Sequence, residues 1–378
     1  MAIYLDYNST TPVDKRVVET MLPYFNEKFG NAASRTHTFG WEAEEVVKKA
    51  REQVAAFIHA EENEIIFTSG ATEAINLAIK GVAESYSAKG NHLVVLASEH
   101  KAVLDSCLYL SKQGKEITIL PVDKQGIVDL PAIENAIRSD TILVAVMLAN
   151  NETGTIQPLQ KIAEIVHAKG AILFSDATQA CGKMRVDVNE LNADLLCLSA
   201  HKMYGPKGAG ALYIRRKNPR VALTAQLHGG GHERNLRSGT LNVPGIVGLG
   251  MACKIASESF WDESIHISFL RTKLEQSFVD TGNTFINGSI KNRLCNTTNI
   301  CFKGYKAERL IKEIPTLAIA TGSACSSALP EPSHVLLSMG LSAEDALSSV
   351  RFSLGRFTTE AEIENTIQLI TDFIKKNI

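Results

Sequence analysis

The sequence lacks the features that mark membrane, secreted and nucleic-acid-binding proteins. No apolar run in its 378 residues approaches the roughly 18 residues that cross a bilayer. The formal net charge is −2, which provides no electrostatic footprint for nucleic acid or for an anionic membrane. Residues 1–6 contain neither the basic nor the apolar segment of a secretory signal. We therefore expect a cytoplasmic protein that binds neither nucleic acid nor membrane.

Cysteines are few and unpatterned. The seven cysteines are an odd number, and no Cys-x-x-Cys spacing occurs among positions 107, 181, 197, 253, 295, 301 and 325. This argues against a disulfide framework and a zinc site, and it favours a reducing compartment. We predict no metal site. The rest of the composition is ordinary for a globular enzyme, since 45% of the residues are hydrophobic and 21% are charged. The hydrophobic fraction is enough for a large core.

The middle of the chain alternates apolar strands with amphipathic helices. Strands are predicted at 65–67, 93–97, 117–120, 142–148, 171–174, 195–198 and 210–214. Helices are predicted between most of them, at 71–88, 102–112, 130–137 and 159–168. Such alternation indicates an α/β protein with a mostly parallel sheet covered on both faces. Ligands of these sheets bind beyond the carboxyl ends of the strands.

The remainder of the chain indicates a second, smaller α+β unit. Its predicted elements are a long helix at 243–279, strands at 284–286, 298–302 and 350–354, and a final helix at 360–375. At roughly 150 residues per domain, the length also suggests two domains. We place a large domain at 15–259, and a small domain at 1–14 together with 260–378. Repeats and a linker are absent, so we expect the two units to pack tightly.

Polar residues follow three of the predicted strands. Residues 68–74 (Thr-Ser-Gly-Ala-Thr-Glu-Ala) open a helix, where free backbone N–H groups favour a phosphate; a simple helix cap is the alternative. Asp176 ends another strand, either as a capping residue or as a carboxylate that keeps a heteroaromatic nitrogen protonated. Lys202 follows a third strand, where burial would lower its pKa and free the amine for Schiff-base chemistry. Together these residues indicate a pyridoxal 5′-phosphate site.

Cys325 differs from the other cysteines in its surroundings. It lies among the small residues of 321–327, whereas the other six mostly lie in apolar stretches and are expected in the core. A loop rich in Gly, Ser and Ala predicts an exposed thiol with a pKa near its ordinary value of about 8.5 or lower. A mobile loop would let one sulfur atom visit a cofactor and then a distant acceptor. Cys325 therefore narrows the chemistry to sulfur transfer.

Several motifs resemble those of the cysteine desulfurases, in the class V aminotransferase group. The resemblance runs from end to end and includes residues 4–11, 199–208, 229–233, 237–240, 322–325 and 350–355. It implies the type I fold of pyridoxal phosphate-dependent transferases, with a large domain built on a mostly parallel seven-stranded sheet and a smaller α+β domain. It also implies that L-cysteine is converted to L-alanine, with its sulfur transferred to Cys325 as a persulfide for iron–sulfur cluster assembly.

The resemblance further implies which residues hold the cofactor. The phosphate would be held by Ala71, Thr72, Ser199 and His201. Thr240 would reach the phosphate of the partner subunit's cofactor, which implies a homodimer with shared sites. Gln179 would hydrogen-bond the ring hydroxyl, and Asp176 the ring nitrogen. Lys202 would bind the cofactor covalently.

Other residues are assigned to the substrate and the reaction. Asn151 would contact cofactor and substrate; the alternative is a turn asparagine. His100 would stack on the ring and shuttle protons; the alternative is a structural histidine. Arg351 would clamp the substrate carboxylate; the alternative is an interdomain salt bridge. Catalysis would rest on Cys325, Lys202 and His100.

Three alternatives to a cysteine desulfurase stay open. A selenocysteine lyase could use the same residues, whereas a class V aminotransferase would not need a mobile Cys325. A non-catalytic sulfur carrier or scaffold subunit belongs to another class, and Lys202 and Asp176 argue against it. The expected partners are L-cysteine, a second copy of the chain, and an iron–sulfur scaffold or another sulfur-acceptor protein.

Overall fold

The computed structural model describes residues 2–279, 283–321 and 331–377. The strands of this described part, in chain order, are β1 (Ile3–Tyr4), β2 (Ile65–Thr68), β3 (His92–Leu96), β4 (Glu116–Leu120), β5 (Thr141–Ala145), β6 (Ile172–Asp176), β7 (Leu195–Ser199), β8 (Gly210–Ile214), β9 (Thr284–Asn287), β10 (Thr297–Phe302), β11 (Leu317–Ala318) and β12 (Ser349–Ser353). The helices are α1 (Lys15–Met21), α2 (Pro23–Asn26), α3 (Thr38–Phe57), α4 (Ala71–Ser85), α5 (Lys101–Lys112), α6 (Leu130–Ala136), α7 (Leu159–Ala168), α8 (Val188–Leu191), α9 (Val243–Val279), α10 (Ala307–Glu313), α11 (His334–Ser338), α12 (Ala343–Leu347) and α13 (Glu360–Lys376).

Seven strands form the central sheet, in the order β2-β8-β7-β6-β5-β3-β4. The strands from β7 to β4 are paired in parallel, and β8 runs antiparallel to both β2 and β7. Every residue of β3, β5, β6, β7 and β8 is buried, as expected for a sheet that is covered on both faces. The predicted α/β fold with a mostly parallel seven-stranded sheet is confirmed.

The strand residues alternate between two hydrophobic cores, one on each face of the sheet. Val94 and Val144 belong to the core that contains α3 and α7. Leu93 and Leu143 belong to the core that contains α4 and α5. Because neighbouring side chains of a strand point to opposite faces, apolar runs rather than alternating patterns mark these strands. This explains why the strands were recognisable in the sequence.

The predicted boundaries agree with the structure except at a few ends. The strand predicted to continue to residue 148 leaves the regular ladder at Ala145. The backbone beyond it is still bonded to β6, since the N–H groups of Val146 and Leu148 donate to the carbonyls of Phe174 and Asp176. The helix predicted to reach residue 88 ends at Ser85. Both differences lie at element ends, where local patterns define structure least.

The long helix α9 passes from the core that contains α3 and α7 into a separate core in the smaller unit. Ile246 and Leu249 pack in the core beneath the seven-stranded sheet. Leu270 and Phe278 pack with the antiparallel sheet β12-β10-β9 and with α13. The predicted domain limit between residues 259 and 260 falls inside this continuous helix, and the domain limits 1–14, 15–259 and 260–378 stay a prediction.

The N-terminal segment joins the C-terminal unit. β1 pairs in parallel with β11, and Asp6 forms a bridge with Ser353 of β12. The same segment is bonded to the large unit, because the N–H of Thr11 donates to the carbonyl of His201. Residues 3–11 therefore contact both units. None of the described helices is both long and apolar enough to span a membrane.

Candidate active site

A cleft of about 930 Å³ lies at the carboxyl ends of β2, β3, β5, β6 and β7. Ten residues from different parts of the chain that the sequence predicts for the site line it together: Ala71, Thr72, His100, Asn151, Asp176, Gln179, Ser199, His201, Lys202 and Arg351. The parallel strands explain this convergence, because their carboxyl ends share one edge of the sheet. Arg351 reaches the cleft from the smaller sheet.

The start of α4 is open towards the cleft. Its N-cap is Gly70, at φ +149°, so no side chain caps the helix. A Cβ atom on Gly210 of β8 would lie 2.6 Å from the Cα of Gly70, so the close approach of the two backbones requires glycine at position 210. The alternative of a simple side-chain cap is therefore wrong. Free N–H groups beside the small Ala71 fit a phosphate.

Asp176 presents one of its carboxylate oxygens for a ligand. Oδ1 accepts the N–H of Thr178 at 2.9 Å and the thiol of Cys197 at 3.3 Å. No donor among the described residues reaches Oδ2, although Asp176 lines the cleft. The capping role thus accounts for only half of the carboxylate, and Oδ2 fits the N–H of a protonated heteroaromatic ring.

Lys202 lies in a short 3₁₀ turn (Ala200–Lys202) directly after β7. Its Nζ donates to the carbonyls of Asn8 at 2.5 Å and of Ser9 at 2.8 Å, and no carboxylate in the described part of the chain forms an ion pair with it. Burial, together with the positive charge of Arg351, lowers the pKa of Lys202 to about 8. A neutral amine is therefore accessible near physiological pH, which suits bonding to a carbonyl group.

Two histidines border the cleft in different protonation environments. His100 begins α5 and its Nδ1 accepts the N–H of Ala102 at 3.1 Å. Desolvation by the cleft walls lowers the pKa of His100, and the Asp176 carboxylate opposes this effect. Desolvation also lowers the pKa of His201, to about 4, with the Lys202 ammonium acting in the same direction. A neutral His201 can donate one N–H, and it is 3.1 Å from Thr10 Oγ1.

Gln179 is held in place by two polar neighbours. Its Nε2 donates to the carbonyl of Asn8 at 3.0 Å, and its Oε1 accepts from Lys183 Nζ at 2.7 Å. Burial lowers the pKa of Lys183 to about 7, with the Lys202 ammonium contributing. Lys183 could not be recognised from the sequence, because a lysine after glycine in a loop is typical of the surface.

Arg351 is paired in this structure with a residue to which the sequence assigned no role. Its Nη2 donates to Asp6 Oδ1 at 2.7 Å and to Ser9 Oγ at 2.8 Å, and its Nη1 donates to the carbonyl of Asn151 at 3.0 Å. A salt bridge is thus present, as the alternative to a carboxylate clamp supposed, but it lies inside the cleft. Asp6 belongs to a motif that carried the family resemblance, which was the available signal.

One predicted site residue does not line the cleft, and one is not described by the structure. Thr240 is exposed in the turn before α9 and does not line the cleft of its own chain. Cys325 lies outside the described residues. The described residues on either side of it, Thr321 and Glu331, both line the cleft. The other six cysteines are free and buried.

A buried contact near Glu331 was also missed by the sequence analysis. Ser333 Oγ donates to Glu152 Oε2 at 2.5 Å, and burial raises the pKa of that carboxyl. The next residue, His334, lies with its Nε2 3.0 Å from the carbonyl of Glu99. The contact fixes the start of α11 against the large unit. Among the described residues, no cluster of three His, Cys, Asp or Glu side chains could hold a metal.

Comparison with known proteins decides the family. The family model described as Aminotransferase class-V matches residues 3–366. The chain belongs to the class V aminotransferases. Within this family it is similar to the cysteine desulfurase IscS of Anaeromyxobacter sp. (strain Fw109-5), with 52% identity over 376 residues, 99% of this chain and 93% of the relative. The cysteine desulfurase IscS of Rickettsia massiliae (strain Mtu5) is 50% identical over 377 residues, 100% of this chain and 92% of the relative.

Solved structures lead to the same family. A NifS-like protein aligns with a TM-score of 0.93 at 38% identity, covering 99% of this chain and 100% of that one. SspA in complex with cysteine aligns with a TM-score of 0.83 at 36% identity, covering 94% and 100%. The predicted cysteine desulfurase family, the type I fold and the pyridoxal 5′-phosphate cofactor are confirmed.

Proposed function

We propose that this cysteine desulfurase converts L-cysteine to L-alanine, keeps the sulfur as a persulfide on Cys325, and passes it to an iron–sulfur scaffold or another acceptor protein. One observation carries the proposal. Lys202 Nζ and the Arg351 guanidinium both bind Ser9, the first through its carbonyl and the second through its Oγ. The lysine proposed to carry the cofactor and the arginine proposed to receive a carboxylate thus contact the same residue, which supports an α-amino acid as the substrate.

The cofactor would be held by groups that have free bonding capacity in the cleft. The start of α4, with Ser199 and His201, would hold the phosphate, and Asp176 Oδ2 the ring nitrogen. Gln179 Nε2 has a second hydrogen for the ring oxygen, since only the carbonyl of Asn8 accepts from this amide among the described residues. When bound, the cofactor supplies a carbonyl carbon for amines and a protonated ring that withdraws electrons.

The substrate would be oriented by Arg351 and Asn151. The guanidinium would bind the α-carboxylate through two parallel N–H groups, which fixes the α-carbon near Lys202. The neutral Nζ of Lys202 would then take the α-proton, a role that a lysine of ordinary pKa would perform poorly at neutral pH. His100, whose pKa is lowered and which is therefore largely neutral, would accept or return a proton near the substrate sulfur.

Sulfur transfer would take place at Cys325. Its thiolate forms an S–S bond with the substrate sulfur as the Cβ–S bond breaks. The electron pair of the broken bond stays with Cβ, which takes a proton and becomes the methyl group of alanine. The position of Thr321 and Glu331 on the cleft supports this role, because the segment that carries Cys325 starts and ends there.

We also propose a cytoplasmic homodimer in which Thr240 serves the partner subunit's site. Thr240 is exposed and does not line the cleft of its own chain, which supports a role in another copy. Large apolar side chains near the N-terminus are more than half exposed: Phe25 62%, Phe29 65%, Phe39 51% and Trp41 53%. A cluster of this kind is typical of surfaces that a partner covers. Free, buried cysteines are consistent with a reducing compartment.

Replacement of Cys325 tests the proposed function. Purified Cys325→Ala protein should keep the cofactor absorbance but release sulfide from L-cysteine and a reductant at least about a hundredfold more slowly, because the sulfur acceptor is gone. Cys301→Ala, which alters a buried cysteine of β10, is the matched control and should keep most of the activity. Full sulfide release by Cys325→Ala would refute the role of Cys325. Formation of a keto acid from cysteine would instead favour an aminotransferase.

A further inference from the structure

Asp6 forms an ion pair with Arg351, the residue proposed to bind the substrate carboxylate. Its Oδ1 lies 2.7 Å from Arg351 Nη2, and the two side chains are 19% and 6% exposed, respectively. Both residues line the cleft. Arg351 Nε is buried without a partner among the described residues, so the guanidinium presents only its two terminal nitrogens to ligands. A carboxylate that binds Arg351 therefore arrives at a guanidinium whose charge is already neutralised.

The backbone that follows Asp6 in the chain accepts hydrogen bonds from Lys202. The carbonyls of Asn8 and Ser9 accept from Lys202 Nζ, at 2.5 Å and 2.8 Å. The Asp6 carboxylate is close enough to raise the pKa of Lys202, against the larger opposing effect of burial. Asp6 is thus near both the group that receives the carboxylate and the group to which the substrate amine must come.

We infer that Asp6 is a specificity-determining residue, which selects ligands that carry an ammonium group beside their carboxylate. This inference rests on the function proposed above. A plain carboxylate bound to Arg351 lies beside the Asp6 carboxylate and is repelled, and this repulsion is strong because the pair is largely removed from water. An α-amino acid also carries an ammonium group on its α-carbon, and this positive charge compensates the negative charge of Asp6. The cleft therefore discriminates against simple carboxylic acids and thiol acids.

A purely structural role for Asp6 would have a different consequence. The orientation of Arg351 does not depend on Asp6 alone, because Nη2 also donates to Ser9 Oγ and Nη1 donates to the carbonyl of Asn151. β12 is paired with β10 along its whole length, which holds the backbone of Arg351. Loss of an orienting contact would weaken all carboxylates alike. Loss of a selecting charge would strengthen only those without an ammonium group.

L-Alanine and propionate provide the test, because they differ only in the amine. Their dissociation constants would be measured on the holoenzyme, by competition with L-cysteine and, without turnover, by the change in cofactor absorbance. In Asp6→Asn, which keeps an acceptor oxygen for Arg351, the ratio of the propionate constant to the L-alanine constant should fall at least about tenfold. Most of the change should come from tighter binding of propionate.

Two variants separate charge from hydrogen bonding. Asp6→Glu keeps the negative charge and should keep the discrimination of the wild type. Ser9→Ala removes a neutral hydrogen bond from the same Nη2 and should shift both ligands alike. An unchanged ratio in Asp6→Asn, or equal weakening of both ligands, would overturn the inference.

A second variant and the wild-type enzyme serve as controls for this experiment. If Asp6→Asn does not yield folded, cofactor-bearing protein, Asp6→Ser makes the same comparison. Failure of the proposed function would appear differently, as a wild-type enzyme that releases no sulfide from L-cysteine. Failure of the inference about Asp6 alone would leave wild-type turnover intact.

Discussion

Lys202 and Lys183 are cationic side chains that the protein partly withdraws from water. Burial is the main reason that their pKa values fall to about 8 and about 7. Each is held by neutral oxygens, from the carbonyls of Asn8 and Ser9 and from the Gln179 amide. Carboxylate partners would have kept both lysines charged. The choice of neutral acceptors thus keeps the amine of Lys202 available for chemistry.

The stability of the apoprotein should reflect this withdrawal of Lys202. Its pKa of about 8 lies below the ordinary value of 10.5, so between these pH values the unfolded chain binds more protons and wild-type stability rises with pH. Lys202→Met removes the penalty of the buried charge but also the bonds to two carbonyls. We expect the variant to be more stable at pH 7 by about 1 kcal/mol, with the difference shrinking towards pH 10.

Urea unfolding of the two apoproteins at pH 7 and pH 10 measures the difference. Both proteins must be freed of cofactor, because a ligand that binds only the folded state would mask it. A difference that stays constant or grows as the pH rises would contradict the lowered pKa of Lys202.

At the scale of elements, one buried carboxylate holds a strained turn. Glu233, Arg234 and Asn235 all have positive φ, at 46°, 58° and 63°. Glu233 accepts two bonds from Arg51 of α3, at 2.8 Å and 2.6 Å, and the N–H of Phe67 in β2 at 2.8 Å. These contacts fix the turn that precedes Thr240 in the chain.

Glu233→Gln should therefore destabilise the protein strongly. The change leaves the Arg51 guanidinium buried without its counter-charge, and such losses cost about 3 kcal/mol or more. Lys217→Ala is the matched control, since it removes an exposed ion pair with Glu61 and should change the free energy of unfolding by less than about 1 kcal/mol. Equal losses in the two variants, measured by urea unfolding, would contradict the structural role of Glu233.

The elements could be predicted from sequence far better than the contacts between them. The helix predicted at 243–279 has these limits in the structure, because its apolar residues and the glycines before it are local signals. Lys202 and Asp176 could be placed at strand ends for the same reason. Asp6 and Arg351 are 345 residues apart, and their pairing depends on how β1, β11 and β12 assemble. No local pattern contains that information.

At the scale of the whole molecule, the N-terminal segment connects the two units around the cleft. Asp14 accepts from Arg356 at 2.6 Å, and Arg356 is also paired with Glu263 of α9 at 2.7 Å. Asp6 and Ser9 contact Arg351, which belongs to β12 of the smaller sheet. Ser9 also contacts Lys202 of the large unit. Any movement of one unit relative to the other would therefore change the distance between the Arg351 guanidinium and Lys202 Nζ.

Mixed dimers test whether the sites are shared between subunits. Lys202→Ala and Thr240→Ala proteins should each be impaired, the first in chemistry and the second in cofactor retention. A mixed dimer contains one site with an intact Lys202 from one subunit and an intact Thr240 from the other. We expect mixing under exchange conditions to restore activity up to about a quarter of the wild-type level for random pairing. No recovery, despite proven exchange, would place Thr240 in the service of its own chain.

In the proposed reaction, sulfur leaves cysteine with the help of Lys202 and remains on Cys325 as a persulfide. Peptide mass mapping after brief incubation with L-cysteine, without reductant, tests it most directly. We expect one added sulfur atom on Cys325, none on the six buried cysteines, and none anywhere in Lys202→Ala protein. An added sulfur on another cysteine, or on Cys325 in the absence of Lys202, would contradict it.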